Sequence, residues 1–186
     1  MPSQAQAPAT TVSAWNHVRA VLLLPFMNTV LIPGLLLSFA GDYRIVSGAG
    51  GSGLLTLGLA IVLLGAGLVL VVRAIALFVR RGRGTLAPWD PTRALITSDI
   101  YRFSRNPMKA GLFLVLLAEC VLLRSTALMI WAGCFIAVNA IYIRSFEEPG
   151  LRRRFGASYA VYCERVPRWL SARSLRRAGR VAERLS

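Results

Sequence analysis

The sequence predicts an all-α integral membrane protein with four transmembrane helices and a cytoplasmic amphipathic helix after the fourth. The 186-residue chain is 55% hydrophobic, with a mean hydropathy of +0.57. Its apolar residues fall into four blocks, each close to the roughly 20 residues that a helix needs to cross a bilayer. The 22 lysines and arginines lie mostly between or after these blocks, which is typical of membrane proteins with basic cytoplasmic segments.

The first two spans are predicted at residues 20–40 and 54–78. The first block is free of charge and contains two prolines, which membrane helices tolerate when neighbouring groups satisfy the freed carbonyls. A turn rich in Gly and Ser, 41–53, follows it. Near the end of the second block, Arg73 is expected to extend its guanidinium toward the membrane interface.

The third and fourth spans are predicted at 107–123 and 126–143, after a polar loop at 80–99. Only Arg124 and Ser125 connect them, so the two spans form a tight helical hairpin. A hairpin returns the chain to the membrane face that it left. The segments before and after the hairpin are therefore expected to meet at one water–lipid boundary.

A basic tail, 152–184, follows the fourth span. Near its start, four apolar or aromatic residues fall on one helical face, opposite a run of arginines: Leu151, Phe155, Tyr159 and Tyr162. This pattern is typical of an amphipathic helix at the membrane surface. Because the basic residues lie beside apolar blocks, membrane lipids with anionic headgroups, and not nucleic acid, are the expected partners of a chain with net charge +14.

The basic residues also predict the topology. The 41–53 turn contains only Arg44, and the hairpin turn contains only Arg124. The remaining basic residues lie at the N-terminus, near the connection between spans two and three, or after span four. By the positive-inside rule both termini are expected to be cytoplasmic, and an even number of spans agrees with this placement.

One membrane domain, 17–170, is predicted between two flanking segments. The N-terminal segment, 1–16, is rich in Pro, Ala, Gln and Thr and is expected to be disordered. The C-terminal segment, 171–186, continues the basic tail. No metal site is predicted, because the only histidine is His17 and the three cysteines lack a spacing that suits zinc.

Two polar segments flank the hairpin. The first is Tyr101-Arg102-Phe103-Ser104-Arg105-Asn106-Pro107-Met108-Lys109-Ala110-Gly111. The second begins with Glu147-Glu148-Pro149 and continues through Phe155-Gly156, Tyr159, Tyr162 and Val166-Pro167-Arg168. Because the hairpin brings both segments to one membrane face, they are expected to form a polar cluster rich in Arg, Glu and Tyr.

This ordered set resembles the carboxy-terminal half of the integral-membrane methyltransferases, which include the isoprenylcysteine carboxyl methyltransferases and the phospholipid N-methyltransferases. Their pattern runs Gly-x-Tyr-Arg-x-x-Arg-(His/Asn)-Pro-x-Tyr-x-Gly, then a hydrophobic hairpin, Glu-Glu, Phe-Gly-x-x-Tyr-x-x-Tyr and Val-Pro-Arg. The similarity extends from Gly84 to Leu170. It implies methyl transfer from S-adenosylmethionine to a lipophilic acceptor, either a carboxylate or an amine, at the cytoplasmic face of a bacterial inner membrane.

The resemblance also implies which residues hold the cofactor and the acceptor. The expected cofactor residues are Arg105, Asn106, Pro107, Lys109, Gly111, Glu147, Glu148 and Tyr159. The expected acceptor residues are Tyr101, Arg102, Tyr162 and Arg168. Glu119 is also expected to contact the acceptor. This expectation does not come from the family pattern, but from the cost of a charged residue in the middle of a membrane span, which indicates a function. No catalytic acid or base is assigned, since the methyl group is already activated and the protein must mainly align the reactants and exclude water.

Each of these assignments has a structural alternative. The acidic pair suits the start of a helix with Pro149 in its first turn. Asn106 suits a helix N-cap, and Gly111 suits close helix packing. The arginines could instead keep their segments on the cytoplasmic side, and the tyrosines could lie at the membrane–water interface. Glu119 could form an ion pair with Arg124. Since adjacent helical positions diverge by about 100°, only one glutamate is expected to face the cofactor, which leaves the other to the arginines.

The sequence departs from the family pattern at two places. Lys109 stands where a tyrosine is usual, and Asp99-Ile100 stands where Gly-Pro is usual. Two other functions remain open: a non-enzymatic membrane scaffold or assembly protein with a relic of the motif, and a related membrane reductase that uses NADPH. Binding of labelled S-adenosylmethionine separates the methyltransferase from the scaffold.

Overall fold

The computed structural model describes residues 22–46, 50–81 and 95–170, and all regular secondary structure in these ranges is helical. The α-helices of the described part are α1 (Ile32–Ala40), α2 (Gly51–Arg81), α3 (Pro107–Leu123), α4 (Thr126–Tyr142) and α5 (Glu148–Arg165). Three further elements are the π-helical segment Leu22–Leu31 before α1, the 3₁₀ turn Asp99–Arg102 before α3, and the π-helical turn Ile143–Glu147 between α4 and α5. The predicted N-terminal segment 1–16, most of the polar loop 80–99, and the C-terminal segment 171–186 lie outside the described residues.

Two helices are long and apolar enough to cross a membrane. One is Gly51–Leu77, whose most apolar stretch has a mean hydropathy of 2.8, and the other is the continuous helix Thr126–Arg165, with a value of 1.9. Only 17% and 22% of these stretches are buried, so most of their side chains face outward. A shorter apolar helix, Pro25–Ala40, lies in the region of the first predicted span. The all-α prediction is therefore confirmed for the described residues, and two of the predicted spans are supported by length and composition.

Helix α3 has the bounds that the sequence predicts, and α4 begins as predicted and ends one residue earlier, at Tyr142. Pro107 is fully buried in the first turn of α3, where its fixed φ suits a helix start. Arg124 ends α3 with a φ of 46°, in the left-handed conformation common at helix ends. Ser125 begins α4 and accepts a hydrogen bond from the amide of Leu128 at 3.3 Å. The hairpin turn is therefore two residues long, as predicted.

The end of α3 is completed by residues 42–46, which we call the capping segment. The amide of Arg44 donates to the carbonyl oxygen of Leu123 at 2.8 Å. Two residues on, the amide of Val46 donates to the carbonyl oxygen of Leu122 at 2.9 Å. These bonds satisfy carbonyl groups that a helix end otherwise leaves unpaired, so the loop after α1 is fixed to the hairpin turn.

The capping segment also holds the start of α4, through Asp42. One carboxylate oxygen accepts from the hydroxyl of Ser125 at 2.6 Å. The other accepts from the amides of Thr126 and Ala127 at 2.8 and 3.2 Å, which are donors without a partner inside the helix. The hydrogen bond from Ser125 is the main reason that the pKa of Asp42 is lowered.

Glycines allow α2 and α3 to cross closely. A Cβ added at Gly67 would lie 2.8 Å from the carbonyl oxygen of Gly111, and one added at Gly111 would lie 2.8 Å from that of Gly67. A larger residue at either position would therefore separate the two backbones. Helix packing accounts for Gly111, whose contact with a cofactor stays a prediction.

The acidic pair lies inside a continuous helix. The amide of Glu148 donates to the carbonyl oxygen of Ile143, five residues earlier, so the chain passes from α4 to α5 through a π-helical turn. Pro149 explains this turn, because proline lacks the amide and its ring clashes with the carbonyl group four residues before it. Glu148 and Pro149 lie in the first turn of α5, as the structural alternative expects, but the residues before them are already helical, so this is not a free helix N-terminus.

Helix α5 is kinked at Gly156, which has φ 54° and ψ −129°. Only glycine adopts this conformation without strain. The kink lets the second half of the helix bury Tyr159 and Tyr162. After Arg165 the chain leaves the helix, and residues 166–170, which we call the strap, run back to the residues that precede α3.

Candidate active site

Two arginines hold the buried carboxylate of Glu148, which is 6% exposed. Arg168 donates from Nε and Nη2 to the two carboxylate oxygens at 2.8 and 2.6 Å, the bidentate geometry of a strong charge-assisted pair. Arg105 donates from Nη1 to Oε1 at 2.9 Å. Glu148 lies beyond the apolar stretch of its helix, which ends at Ile143. The hydrogen bond from Arg168 lowers the pKa of the Glu148 carboxyl group, so this group is charged at neutral pH.

The strap is bound to the residues that precede α3. The amide of Arg105 donates to the carbonyl oxygen of Pro167 at 3.0 Å. The hydroxyl of Ser104 and Nδ2 of Asn106 both donate to the carbonyl oxygen of Arg168, at 3.1 and 3.2 Å. The side chain of Asn106 makes no capping hydrogen bond to α3, so the capping interpretation is wrong. Asn106 instead fixes the strap.

Glu147 has a different partner. Its Oε2 forms an ion pair with Nζ of Lys109, and this ammonium also lies 5.2 Å from the centre of the Tyr142 ring. The side chain of Glu147 is 34% exposed, whereas that of Glu148 is 8% exposed. As their separation of about 100° predicts, the two acids face different neighbours. Glu148 meets the arginines, and Glu147 is the more exposed of the two acids.

Together these side chains form what we call the charged cluster, which consists of Arg105, Lys109, Glu147, Glu148 and Arg168. The sequence predicts all five as site residues, and the structure brings them together from the start of α3, the turn before α5, and the strap. Within the described ranges, the buried Nε of Arg105 has no hydrogen-bond partner. Buried donors are nearly always paired, so this nitrogen has spare hydrogen-bonding capacity, while its binding of a ligand stays a prediction.

The predicted site tyrosines lie in the interior. The hydroxyl of Tyr162 donates to the backbone carbonyl oxygen of Tyr101 at 2.6 Å. The exposed fractions of Tyr101, Tyr159 and Tyr162 are 8%, 2% and 7%. Burial raises the pKa of Tyr101, so its phenol group stays protonated. Tyr101 packs with Ala74, Leu77 and Ile100, whereas Tyr159 and Tyr162 pack with Val166. Their contacts with a cofactor or an acceptor stay predictions.

A cleft of ≈ 450 Å³ lies beside the charged cluster. Its lining includes Arg105, Glu148, Arg168, Arg152, Gly156 and Glu164. Three arginines against two acids give the cleft a positive balance. Its charge therefore suits a ligand that presents an anionic or zwitterionic group.

Two other predicted site residues have different surroundings. Arg102 is exposed, and its guanidinium lies 5.2 Å from the centre of the Phe103 ring. Glu119 follows Lys109 by ten positions on α3, or about 15 Å along the helix axis. Its Oε2 is buried without a hydrogen-bond partner in the described part of the chain, and no ion pair joins it to Arg124 there. A contact between either residue and the acceptor stays a prediction.

Two backbone features of this region were not predicted from the sequence. The first is the kink at Gly156, which the Phe-Gly pair of the family pattern could have indicated. The second is Asp99, whose φ of 56° is left-handed. Glycine favours this conformation, which explains the glycine of the family pattern at this position. Asp99 tolerates it and forms an ion pair with exposed Arg73 at 3.5 Å.

A family model of phospholipid methyltransferases matches residues 54–158, which is more than half of the chain. The matched region begins in α2, contains the whole hairpin, and ends inside α5. It includes four of the five residues of the charged cluster. The chain therefore belongs to the phospholipid methyltransferase family, as its motifs indicate. Comparison with curated proteins and with solved structures finds no match.

Proposed function

We propose that the protein transfers a methyl group from S-adenosylmethionine to a lipophilic acceptor at the cytoplasmic face of a membrane. Membership of a methyltransferase family supports the reaction type. The observation that carries the proposal is the charged cluster, in which Lys109 and Glu147 meet although they are 38 residues apart in the chain. The hairpin between them is apolar, so the cluster lies where a polar cofactor and a lipid-borne acceptor can meet.

The donor set of the cluster fits this cofactor. Glu147, which is partly exposed, would accept from the cofactor ammonium. Arg105, with its unpaired Nε, and Arg168 beside it would donate to the cofactor carboxylate. When bound, the cofactor supplies a methyl group that its sulfonium charge has already activated.

The chain itself binds, orients and excludes water. Ser104 and Asn106 hold the strap, and the strap positions Arg168 against Glu148. Buried Tyr162 fixes the second half of α5, which would close the site toward the cytosol. Alignment of the reacting groups in a water-poor site is the main requirement of a methyl displacement. A carboxylate acceptor can attack as it is, whereas an ammonium acceptor would first lose a proton to water.

We further propose a membrane arrangement for this activity. The first apolar helix, α2, α3 and α4 would be four spans of a single domain, 17–170, with both termini cytoplasmic and α5 on the cytoplasmic surface. The outward apolar side chains of α2 and α4 support contact with lipid. The acceptor, a carboxylate or an amine on a lipophilic molecule, would then enter from the bilayer, while the cofactor enters from the cytosol.

The test uses the full-length protein purified in a neutral detergent. Calorimetry is expected to show saturable binding of S-adenosylmethionine. Membranes incubated with the protein and methyl-labelled cofactor are expected to contain label in the lipid extract. The control is Glu147→Gln, which leaves the pairs of Glu148 with the arginines in place and should weaken cofactor binding by about tenfold or more. Absence of binding would favour the scaffold, and binding of NADPH in its place would favour the reductase.

A further inference from the structure

The charged cluster contains more positive than negative charge. Arg105, Lys109 and Arg168 contribute three cations, whereas Glu147 and Glu148 contribute two anions. The five side chains are between 8% and 34% exposed. Water therefore screens the surplus charge only in part, and a charged ligand in the cluster would experience it.

Among the described residues, the charged side chains that line the adjoining cleft do not remove this surplus. Arg152 and Glu164 line the adjoining cleft, and both are exposed and of opposite sign. Lys109 creates the surplus in this chain, because an uncharged residue stands at its position in the family pattern. A neutral residue there would leave two cations against two anions.

We propose that Lys109 is a specificity-determining residue that weakens binding of the positively charged methyl donor relative to its demethylated product. The proposal rests on the proposed function, because it concerns the same site. S-adenosylmethionine has a sulfonium group, and S-adenosylhomocysteine has a neutral thioether in its place. All other groups of the two ligands are the same. The surplus charge therefore acts against the donor alone, and the site favours retention of the product.

The ratio of the two dissociation constants isolates this effect. The ion pair between Lys109 and Glu147 also occupies the acid that would accept from a ligand ammonium. Both ligands have that ammonium, so release of Glu147 would change their affinities equally. A change in the ratio can come only from the group in which the ligands differ.

The experiment measures both dissociation constants by calorimetry, at one pH, with the full-length protein in neutral detergent. Lys109→Met is expected to shift their ratio toward the donor by about three- to tenfold, the effect of one unit charge at about 8 Å in partly screened surroundings. Lys109→Tyr should shift it equally, and Lys109→Arg should leave it unchanged. Arg44→Met is the matched control, because it removes one positive charge near the opposite end of α3.

The unaltered protein provides a second measurement that depends on no variant. Raising the salt concentration from about 0.05 to 0.5 M shortens the screening length, and should shift the ratio toward the donor in the unaltered protein but hardly in Lys109→Met. If the protein binds both ligands, the inference is overturned by a ratio that responds to neither salt nor Lys109→Met, or by an equal shift in Arg44→Met. If the protein binds neither ligand, the proposed function itself is overturned.

Discussion

Two adjacent glutamates have different roles because a helix turns their side chains apart. Glu148 is enclosed by Arg105 and Arg168, whereas Glu147 is partly exposed and forms an ion pair with Lys109. The first is suited to holding the strap and α5 together, and the second to meeting a ligand. Substitution of Glu148 is therefore expected to lower the stability of the fold, and substitution of Glu147 is expected to weaken cofactor binding.

We expect Glu148→Ala to lower the free energy of unfolding by about 3 kcal/mol, because it leaves mostly buried Arg105 and partly exposed Arg168 without their anion. Glu147→Gln should change it by less than about 1 kcal/mol, yet weaken cofactor binding about tenfold or more. Thermal unfolding in detergent measures the first effect, and calorimetry measures the second. A Glu147→Gln variant that unfolds while Glu148→Ala remains stable would show that the roles are reversed.

The backbone conformation of Asp99 predicts how substitutions at this position change the stability of the protein. Its left-handed φ of 56° is costly for a residue with a Cβ, and its ion pair with Arg73 is exposed and contributes little. We expect Asp99→Gly to be more stable than Asp99→Ala by about 1 kcal/mol, because only glycine relieves the strain. Thermal midpoints of the two variants provide the comparison. Equal midpoints would mean that the strain at this position is negligible.

At the scale of elements, the hairpin is the part that the sequence predicts best. A proline at the start of α3, a mainly apolar run, and two residues before the next run define its bounds, and the structure has these bounds except that α4 ends one residue earlier. The membership of the charged cluster is also predicted, because a hairpin must return the chain to the same face. These features depend on local composition and on chain connectivity alone.

The junction between α4 and α5 could not be predicted in the same way. Pro149 is equally compatible with a helix start and with a π-helical turn inside a longer helix, and the choice depends on which carbonyl group the Glu148 amide meets. The pairing of Glu148 with Arg168 depends in turn on the kink at Gly156 and on the return of the strap. Hydrophobic periodicity contains no information about either backbone event.

The kink in α5 leads to a prediction for that element. Gly156→Ala is expected to destabilise the protein by about 1–3 kcal/mol through backbone strain alone, since no atom lies within 4 Å of an added Cβ. Gly133→Ala in α4 is the matched control, because that site is equally open and has no positive φ, so it should be neutral or stabilising. Thermal unfolding of both variants tests this, and equal midpoints would contradict a strained kink.

At the scale of the whole molecule, α3 separates two ends of different character. The capping segment lies at the end of α3, and the charged cluster lies at its start. The 17 residues of α3 place these ends about 25 Å apart, close to the thickness of the hydrocarbon core of a bilayer. One end has backbone caps and few charges, while the other has the paired charges, so the molecule is electrically asymmetric along the helix axis.

This asymmetry predicts the orientation in the membrane. Among the described residues, Arg44 and Arg124 are the basic residues near the capping end, whereas the charged cluster and the arginines of α5 belong to the other end, which the positive-inside rule assigns to the cytoplasm. In a variant without its natural cysteines, Tyr43→Cys should react with an impermeant maleimide only from outside the cell. Ser174→Cys in the tail should react only in inverted vesicles. Reaction of the tail from outside would place the charged cluster on the wrong face for a cytosolic cofactor and would contradict the four-span arrangement.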